Sequence, residues 1–252
     1  TIFFSDLAGF TTLSEKLPAE EVVHILNSYL ERMTSVIMES DGFVNKFEGD
    51  AIMAFWGAPL ASERQAAQAM GAALRCQEEL RALNDDFEKN GLPRLGMRIG
   101  INSGEVIVGN IGSRKRFEYT VIGDAVNLAS RLEGINKQYG TKIICGALSG
   151  QMASGQIVLR PLDRVCVKGK KIPEEIFEVV AGKECTPAGR LESLAVFARG
   201  LQLYFSGDFA AALEIFAPAV DDPPAQAFAR RCRWLLDNPP VDWDGSWTFT
   251  EK

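Results

Sequence analysis

The chain has 252 residues, 46% hydrophobic and 24% charged, with 33 acidic against 27 basic side chains and a net charge of −6. That is globular composition, long enough to bury a substantial core without staples. The acidic balance argues against a broad nucleic-acid or membrane-surface footprint while leaving room for a local basic pocket. Cys76, Cys145, Cys166, Cys185 and Cys232 are dispersed, with no CxxC pair. This excludes a zinc cluster and a disulfide framework, points to a reducing, cytoplasmic setting, and leaves each cysteine expected as a small buried hydrophobe. No apolar run approaches the ~18 residues of a membrane helix, and there is no signal peptide. Thr1-Ile2-Phe3-Phe4 opens directly in strand-like sequence without Met, which reads as a fragment lacking an upstream region that held a sensor or membrane segment.

Ile2 to Asp6 is a β-branched and aromatic run, expected as a buried strand. Val22, Ile25, Leu26, Tyr29, Leu30, Met33, Val36 and Ile37 recur at i, i+3, i+4, i+7 and predict an amphipathic helix, starting near Pro18 and ending at Ser40-Asp41-Gly42. Phe43–Phe47 and Ala51–Trp56 form an expected hairpin with Asp50 at or beside its tip. Ala66, Ala69, Met70, Ala73, Cys76, Leu80 and Leu83 mark a second long helix. Arg94–Asn102 and Glu105–Ile111 are expected to pair around Ser103-Gly104, and a third helix is predicted from Asp124 to Tyr139. Lys142–Cys145, Val158–Val167 and Ile172–Val180 supply later strands. The order β-α-β-β-α-β implies an α+β sandwich with helices on one face of a mainly antiparallel sheet.

Gly182–Gly189 reads as a linker, so residues 1–183 and 184–252 are expected as two units. In the second, Gly200, Tyr204, Gly207, Asp208, Phe209, Ala212, Phe216 and Ala219 match the spacing of one tetratricopeptide-like helical hairpin. One such repeat cannot bury its own face and must pack on the first unit, on a partner or on its own tail. That tail, with Pro223-Pro224, Pro239-Pro240, Trp243 and Trp247, reads as a capping and docking segment.

Asp6 ends the first strand and Asp50 sits at the hairpin turn, so pairing of the two elements brings both carboxylates to one sheet edge. Taken singly, a cap and a turn residue explain them. As a pair they repel unless they share a cation, and Mg²⁺ favours one or two carboxylates plus substrate phosphates. Asn127 and Arg131 are spaced i, i+4, so they project from one helix face towards a common ligand, or else form a solvated polar face.

The segments Phe4-Ser5-Asp6-Leu7-Ala8-Gly9-Phe10-Thr11, Lys46-Phe47-Glu48-Gly49-Asp50 and Glu118 to Arg131 (EYTVIGDAVNLASR), in this order, resemble the catalytic domain of class III nucleotidyl cyclases. The resemblance runs through Val167-Lys168-Gly169-Lys170 and implies the ferredoxin-like βαββαβ core of that family. It further implies that Asp6 and Asp50, with the Leu7 carbonyl, bind two Mg²⁺ or Mn²⁺ ions. By the same resemblance Lys46 and Thr120 select the base, Asn127 orients the ribose, and Arg131 stabilises the reacting phosphate. Arg98 and Lys168 match the residues that hold the triphosphate. Lysine donates to adenine N1 and threonine accepts from the exocyclic amine, whereas guanine offers the reverse pattern, so ATP is the expected substrate and cyclic AMP the product. Thr120 stands where animal transmembrane forms carry Asp and resembles the subgroup containing bicarbonate-responsive enzymes, which implies bicarbonate stimulation.

Family sites form between subunits, which implies a homodimer drawing Asp6, Asp50 and Arg98 from one copy and Lys46, Thr120, Asn127, Arg131 and Lys168 from the other. The competing readings are a guanylyl cyclase and a catalytically silent nucleotide-binding dimerisation module. No GG[DE]EF-like segment supports a diguanylate cyclase. The lone histidine, His24, lies off the core register of its helix and is expected to be exposed. Gly104, Gly109 and Gly112 read as strand bends, and Ser113-Arg114-Lys115-Arg116 as a solvated loop.

Overall fold

Alternate residues of the first strand, β1 (Ile2–Leu7), point to opposite faces, and both faces are buried: Phe3 and Leu7 enter one core, Ile2 another. The computed structural model describes residues 1–166 and 173–248. After β1 come α1 (Phe10–Ser14), α2 (Ala19–Glu39), β2 (Phe43–Glu48), β3 (Ala51–Phe55), α3 (Gln65–Lys89), β4 (Met97–Asn102), β5 (Ile107–Ser113) and β6 (Arg116–Ile122). There follow α4 (Asp124–Tyr139), β7 (Ile143–Gly146), α5 (Ala147–Ala153), β8 (Ile157–Cys166), β9 (Glu174–Gly182), α6 (Ala188–Phe205), α7 (Phe209–Phe216), α8 (Pro223–Asp237) and β10 (Trp247–Thr248). Eight strands form one sheet in the order β10-β8-β9-β7-β4-β1-β3-β2, antiparallel except where β7 meets β4 and β10 meets β8.

The mixed α+β, mainly antiparallel architecture is as expected. The one-face arrangement of helices is not. Helices α2 and α3 cover the face carrying Phe3, Ile99 and Ile143, while α4 and α6–α8 cover the other through Ile2 and Ile144. Consecutive apolar residues such as Ile2-Phe3 and Ile143-Ile144 are the physical reason, because a strand apolar on both sides needs cover on both. Helix α4 lies unusually close to β4. A Cβ built at Gly100 would stand 2.2 Å from the Ala129 carbonyl oxygen, and buried Asn136 donates its side-chain amide to the Ile99 carbonyl at 2.9 Å.

The expected pairing around Ser103-Gly104 is also absent. Strand β4 lies between β1 and β7, and β5 pairs with β6 in a separate two-stranded ribbon. Asn102 donates to the Ala125 carbonyl at 3.0 Å, and the Ser103 hydroxyl bonds those of Thr1 and Ser149 at 2.8 and 2.9 Å. Both polar groups are thereby held within the fold, and the chain leaves the sheet towards α4 instead of folding back.

Beyond a short 3₁₀ turn (Lys183–Cys185), helices α6, α7 and α8 pack on the α4 side of the sheet. Phe197, Tyr204, Phe216 and Phe228 meet Leu132 and Tyr139 of α4 and Leu162 and Val165 of β8 in one cluster. The segment from Pro223, expected as tail, begins a helix of 15 residues. Proline suits its first turn because an N–H there has no intrahelical partner. Trp243 and Trp247 dock as expected: the Trp243 indole N–H donates to the Tyr204 carbonyl at 3.1 Å, and the Arg231 guanidinium sits 4.6 Å above the Trp247 ring. Cys76, Cys145 and Cys232 are buried, Cys166 is half-buried, and Cys185 is exposed in its surface turn, contrary to the expectation for it. His24 is exposed.

Two ion-pair groups tie these helices to the sheet. Arg160, only 2% exposed, bonds Glu178 at 2.6 Å and Asp222 at 2.7 Å. Arg231 bonds Asp163 at 2.5 Å, and the Tyr139 hydroxyl donates to the same carboxylate. Removing one partner of a buried pair strands the other charge, which costs about 3–5 kcal/mol. Arg231→Ala is therefore expected to lower stability by about that amount in urea unfolding. A loss below about 1 kcal/mol would show that this pair does not anchor the helices.

Candidate active site

Strand pairing assembles the first group of residues. The β1–β4 register sets Asp6 opposite Arg98, and the Arg98 guanidinium lies 3.4 Å from the Asp6 carboxylate. The turn joining β2 to β3 places Gly49 at φ 66°, a left-handed conformation that glycine adopts without strain, and so delivers Asp50 to the end of β1. The Leu7 amide then donates to Asp50 at 3.2 Å, and the two carboxyl groups are close enough to hydrogen-bond each other. Sequence reasoning missed one member of this group. Glu133 of α4 accepts from Arg98 at 2.8 Å, with its side chain only 15% exposed. An acid within the apolar stripe Leu128, Ala129, Leu132 and Ile135 is the signal that would have found it.

The electrostatics are those of crowded anions. Burial first, then the Asp50 and Glu133 carboxylates, push the Asp6 carboxyl up to about 7, against the opposing pull of Arg98. Burial likewise raises Glu133, with Arg98 opposing. Among the described residues no group of three or more His, Cys, Asp and Glu side chains is arranged to hold a metal. Two adjoining carboxylates nevertheless suit a cation such as Mg²⁺, which keeps several waters and takes substrate phosphates as further ligands.

A second group forms around the β5–β6 ribbon. The Tyr119 ring packs 5.4 Å from that of Phe43, holding β6 against β2. Asn45 bridges the two strands, donating to the Tyr119 carbonyl at 2.8 Å and accepting from the Thr120 hydroxyl at 2.9 Å. Thr120 is thus brought beside the residue preceding Lys46. The Lys46 ammonium itself lies 2.5 Å from Glu48 on the same strand, and both side chains are largely exposed. Asn127 and Arg131 share the exposed outer face of α4 and join neither group. Glu133, about 200° further round the helix from Arg131, points inward. Lys168 lies outside the described residues. Ser113 to Arg116 form the exposed tip of the β5–β6 ribbon, a solvated loop as expected.

These charges give a pH test. The folded chain holds the Asp6 proton up to about pH 7, whereas the unfolded chain loses it near 3.8. Stability from this group is therefore complete below the lower value and lost as the pH rises to the upper one. Without divalent cations, the melting temperature is expected to fall between pH 5 and pH 8, and Asp6→Asn to flatten that fall. Mg²⁺ is expected to restore a few degrees to the native chain and nothing to the variant. Parallel pH curves for the two proteins would refute this account of the carboxylate pair.

A model of adenylate and guanylate cyclase catalytic domains matches residues 1–180. Adenylate cyclase 1 of Rhizobium meliloti is 39% identical over 180 residues, 71% of this chain and 27% of that protein. The chain thus spans about a quarter of that relative's length. The adenylyl cyclase CyaB of P. aeruginosa superposes with a TM-score of 0.68 at 33% identity, covering 74% of this chain and 95% of that structure. The guanylyl cyclase Cya2 superposes equally well, with a TM-score of 0.68 at 39% identity, covering 73% and 92%. With the match running through every element from β1 to β9, the chain belongs to the adenylate and guanylate cyclase catalytic domain family.

Proposed function

We propose that this chain is an adenylyl cyclase catalytic domain that converts ATP to 3′,5′-cyclic AMP and pyrophosphate at a site shared by two copies. The observation that carries the reading is the convergence of Asp6, Asp50 and Arg98 at the end of β1. Such a cluster is a poor structural element, since burial and mutual repulsion disfavour its charges, and a good receptor for cations with a triphosphate. Relatives named adenylate cyclase, at 39% and 40% identity, support ATP as substrate. The pair Lys46 and Thr120 supports it independently, because ammonium donates and threonine oxygen accepts in the pattern adenine requires.

In this reading Asp6 and Asp50, with the Leu7 carbonyl, hold two Mg²⁺ or Mn²⁺ ions. When bound, these lower the pKa of the ribose 3′-hydroxyl and offset charge on the phosphates. The 3′-hydroxyl gives up its proton to solvent water, its oxygen attacks the α-phosphorus, and the bond to the pyrophosphate oxygen breaks, the electron pair leaving with pyrophosphate. Arg98 exchanges its contacts with Asp6 and Glu133 for the triphosphate, and Lys168 joins it in stabilising the leaving pyrophosphate. Asn127 orients the ribose, and Arg131 stabilises charge on the α-phosphate oxygens.

The outward direction of Asn127 and Arg131 supports their use by a second copy, in a homodimer with two equivalent sites. Ile107, Phe117 and Ile122 of the β5–β6 ribbon are 71%, 64% and 51% exposed, which suits burial against such a copy. Residues 184–252 act as a tetratricopeptide-like extension of residues 1–183, and stimulation by bicarbonate goes with Thr120. Among the described residues no helix is long and apolar enough to cross a membrane.

The test is product formation from ATP and from GTP with Mg²⁺ and Mn²⁺ across a dilution series. Cyclic AMP from ATP alone is expected, with specific activity falling on dilution. Cyclic GMP as the main product would overturn the base assignment, and no product from a dimer with bound ATP would favour the silent module. In a second test, Asp50→Asn and Arg131→Ala are each expected to reduce activity at least about 100-fold. Mixing the two should regain about a quarter of the native activity, because half the molecules are hybrids and each hybrid holds one intact site. Absence of that gain in verified hybrids would exclude the shared site.

A further inference from the structure

We infer that Asn45 is a specificity-determining residue, which fixes the direction of the Thr120 hydroxyl so that the site can only accept a hydrogen bond from the base. The inference rests on the adenylyl cyclase reading for the place of the base, and on the hydrogen bonds of this chain for the rest. A backbone carbonyl only accepts, so the Asn45 group facing the Tyr119 oxygen at 2.8 Å is its NH₂. The Asn45 carbonyl oxygen is then the atom facing Thr120, and it too only accepts. The Thr120 hydroxyl proton is consequently committed to Asn45, at 2.9 Å.

What remains on Thr120 is an oxygen with a free lone pair and no hydrogen to offer. A free threonine hydroxyl rotates and serves either a donor or an acceptor, and therefore discriminates little between an amine and a carbonyl. Held by Asn45, it favours the 6-amino group of adenine and sets oxygen against oxygen for a 6-oxo purine. Lys46 reads the neighbouring ring nitrogen in the complementary sense, since an ammonium only donates. Asn45 is the extra residue of a β-bulge. Val44 pairs with Ala54 and Lys46 with Met53, leaving Asn45 outside the ladder with its side chain turned to β6.

Asn45 also staples β2 to β6, so the test must separate orientation from support. ATP and ITP differ only at the 6-position and the N1 proton that goes with it. The ratio of their kcat/KM values, and of their equilibrium affinities, is measured on the full chain. The native chain is expected to favour ATP. Asn45→Ala frees the hydroxyl and should reduce the ATP-to-ITP ratio about tenfold, the worth of one oriented hydrogen bond. Asn45→Asp keeps the acceptor for Thr120 but faces oxygen to the Tyr119 carbonyl. It should lower the melting temperature while retaining most of the ratio. In a Thr120→Val background, Asn45→Ala should leave the ratio unchanged.

An Asn45→Ala ratio equal to the native one, with a lowered melting temperature, would reduce Asn45 to a staple and overturn the inference. So would a ratio change that persists in Thr120→Val. If Asn45→Ala does not fold, loss of the ratio in Asn45→Asp overturns it as well. Failure of the functional reading has a different signature, since the native chain would then form no cyclic AMP. The affinity ratio decides the inference in that event too, and equal native affinities for ATP and ITP would refute it.

Discussion

The close packing of α4 on β4 is the constraint on which the carboxylate arrangement depends. Any side chain at Gly100 would meet the backbone of α4, with a Cβ 2.2 Å from the Ala129 oxygen and 2.3 Å from the Glu133 nitrogen. That proximity lets Glu133 reach Arg98 through the inner face of the helix while Asn127 and Arg131 occupy the outer face. One rigid element thus presents two faces, Glu133 inward to the carboxylate group and Asn127 with Arg131 outward to solvent. Its far end is held by the Tyr139 hydroxyl on Asp163, which also accepts from Arg231 of α8. The C-terminal helices are therefore packed on the same element that carries Asn127, Arg131 and Glu133.

The carboxylate group shows the usual tension between stability and chemistry. Asp6 and Glu133 share one guanidinium with Asp50 beside Asp6, and the Asp6 carboxyl is pushed up by burial and by its neighbours. An apolar replacement would relieve this strain but would leave nothing to attract a cation. In the proposed reading, the missing positive charge arrives with the substrate.

Much of this was legible because it rests on residue types at short, regular spacings. Asp6 at a strand end, Asp50 at a hairpin turn, and Asn127 with Arg131 on a helix from Asp124 to Tyr139 all stand where their patterns place them. What escaped depends on contacts between distant segments. No local pattern reveals that β4 pairs with β1 and β7 instead of β5, or that β5 and β6 leave the main sheet. Glu133 was overlooked because its partner is on β4, and α8 because its opening Pro223-Pro224 resembles a loop. Asn45 was invisible for a further reason, since a bulge interrupts the alternation by which strand faces are assigned.

That bulge also determines how β2 can vary in length. Val44 and Lys46 already pair with the adjacent residues Ala54 and Met53, so loss of Asn45 alone would leave a regular ladder. The pairs Phe47–Ile52 and Glu48–Ala51, and with them the turn that presents Asp50, would keep their register. A single deletion, ordinarily ruinous inside a strand because it reverses every following side chain, is here the one change that makes the strand more regular. Divergence by shortening is therefore open to this hairpin at one position, and it would sever the link to β6 while leaving the carboxylate turn intact.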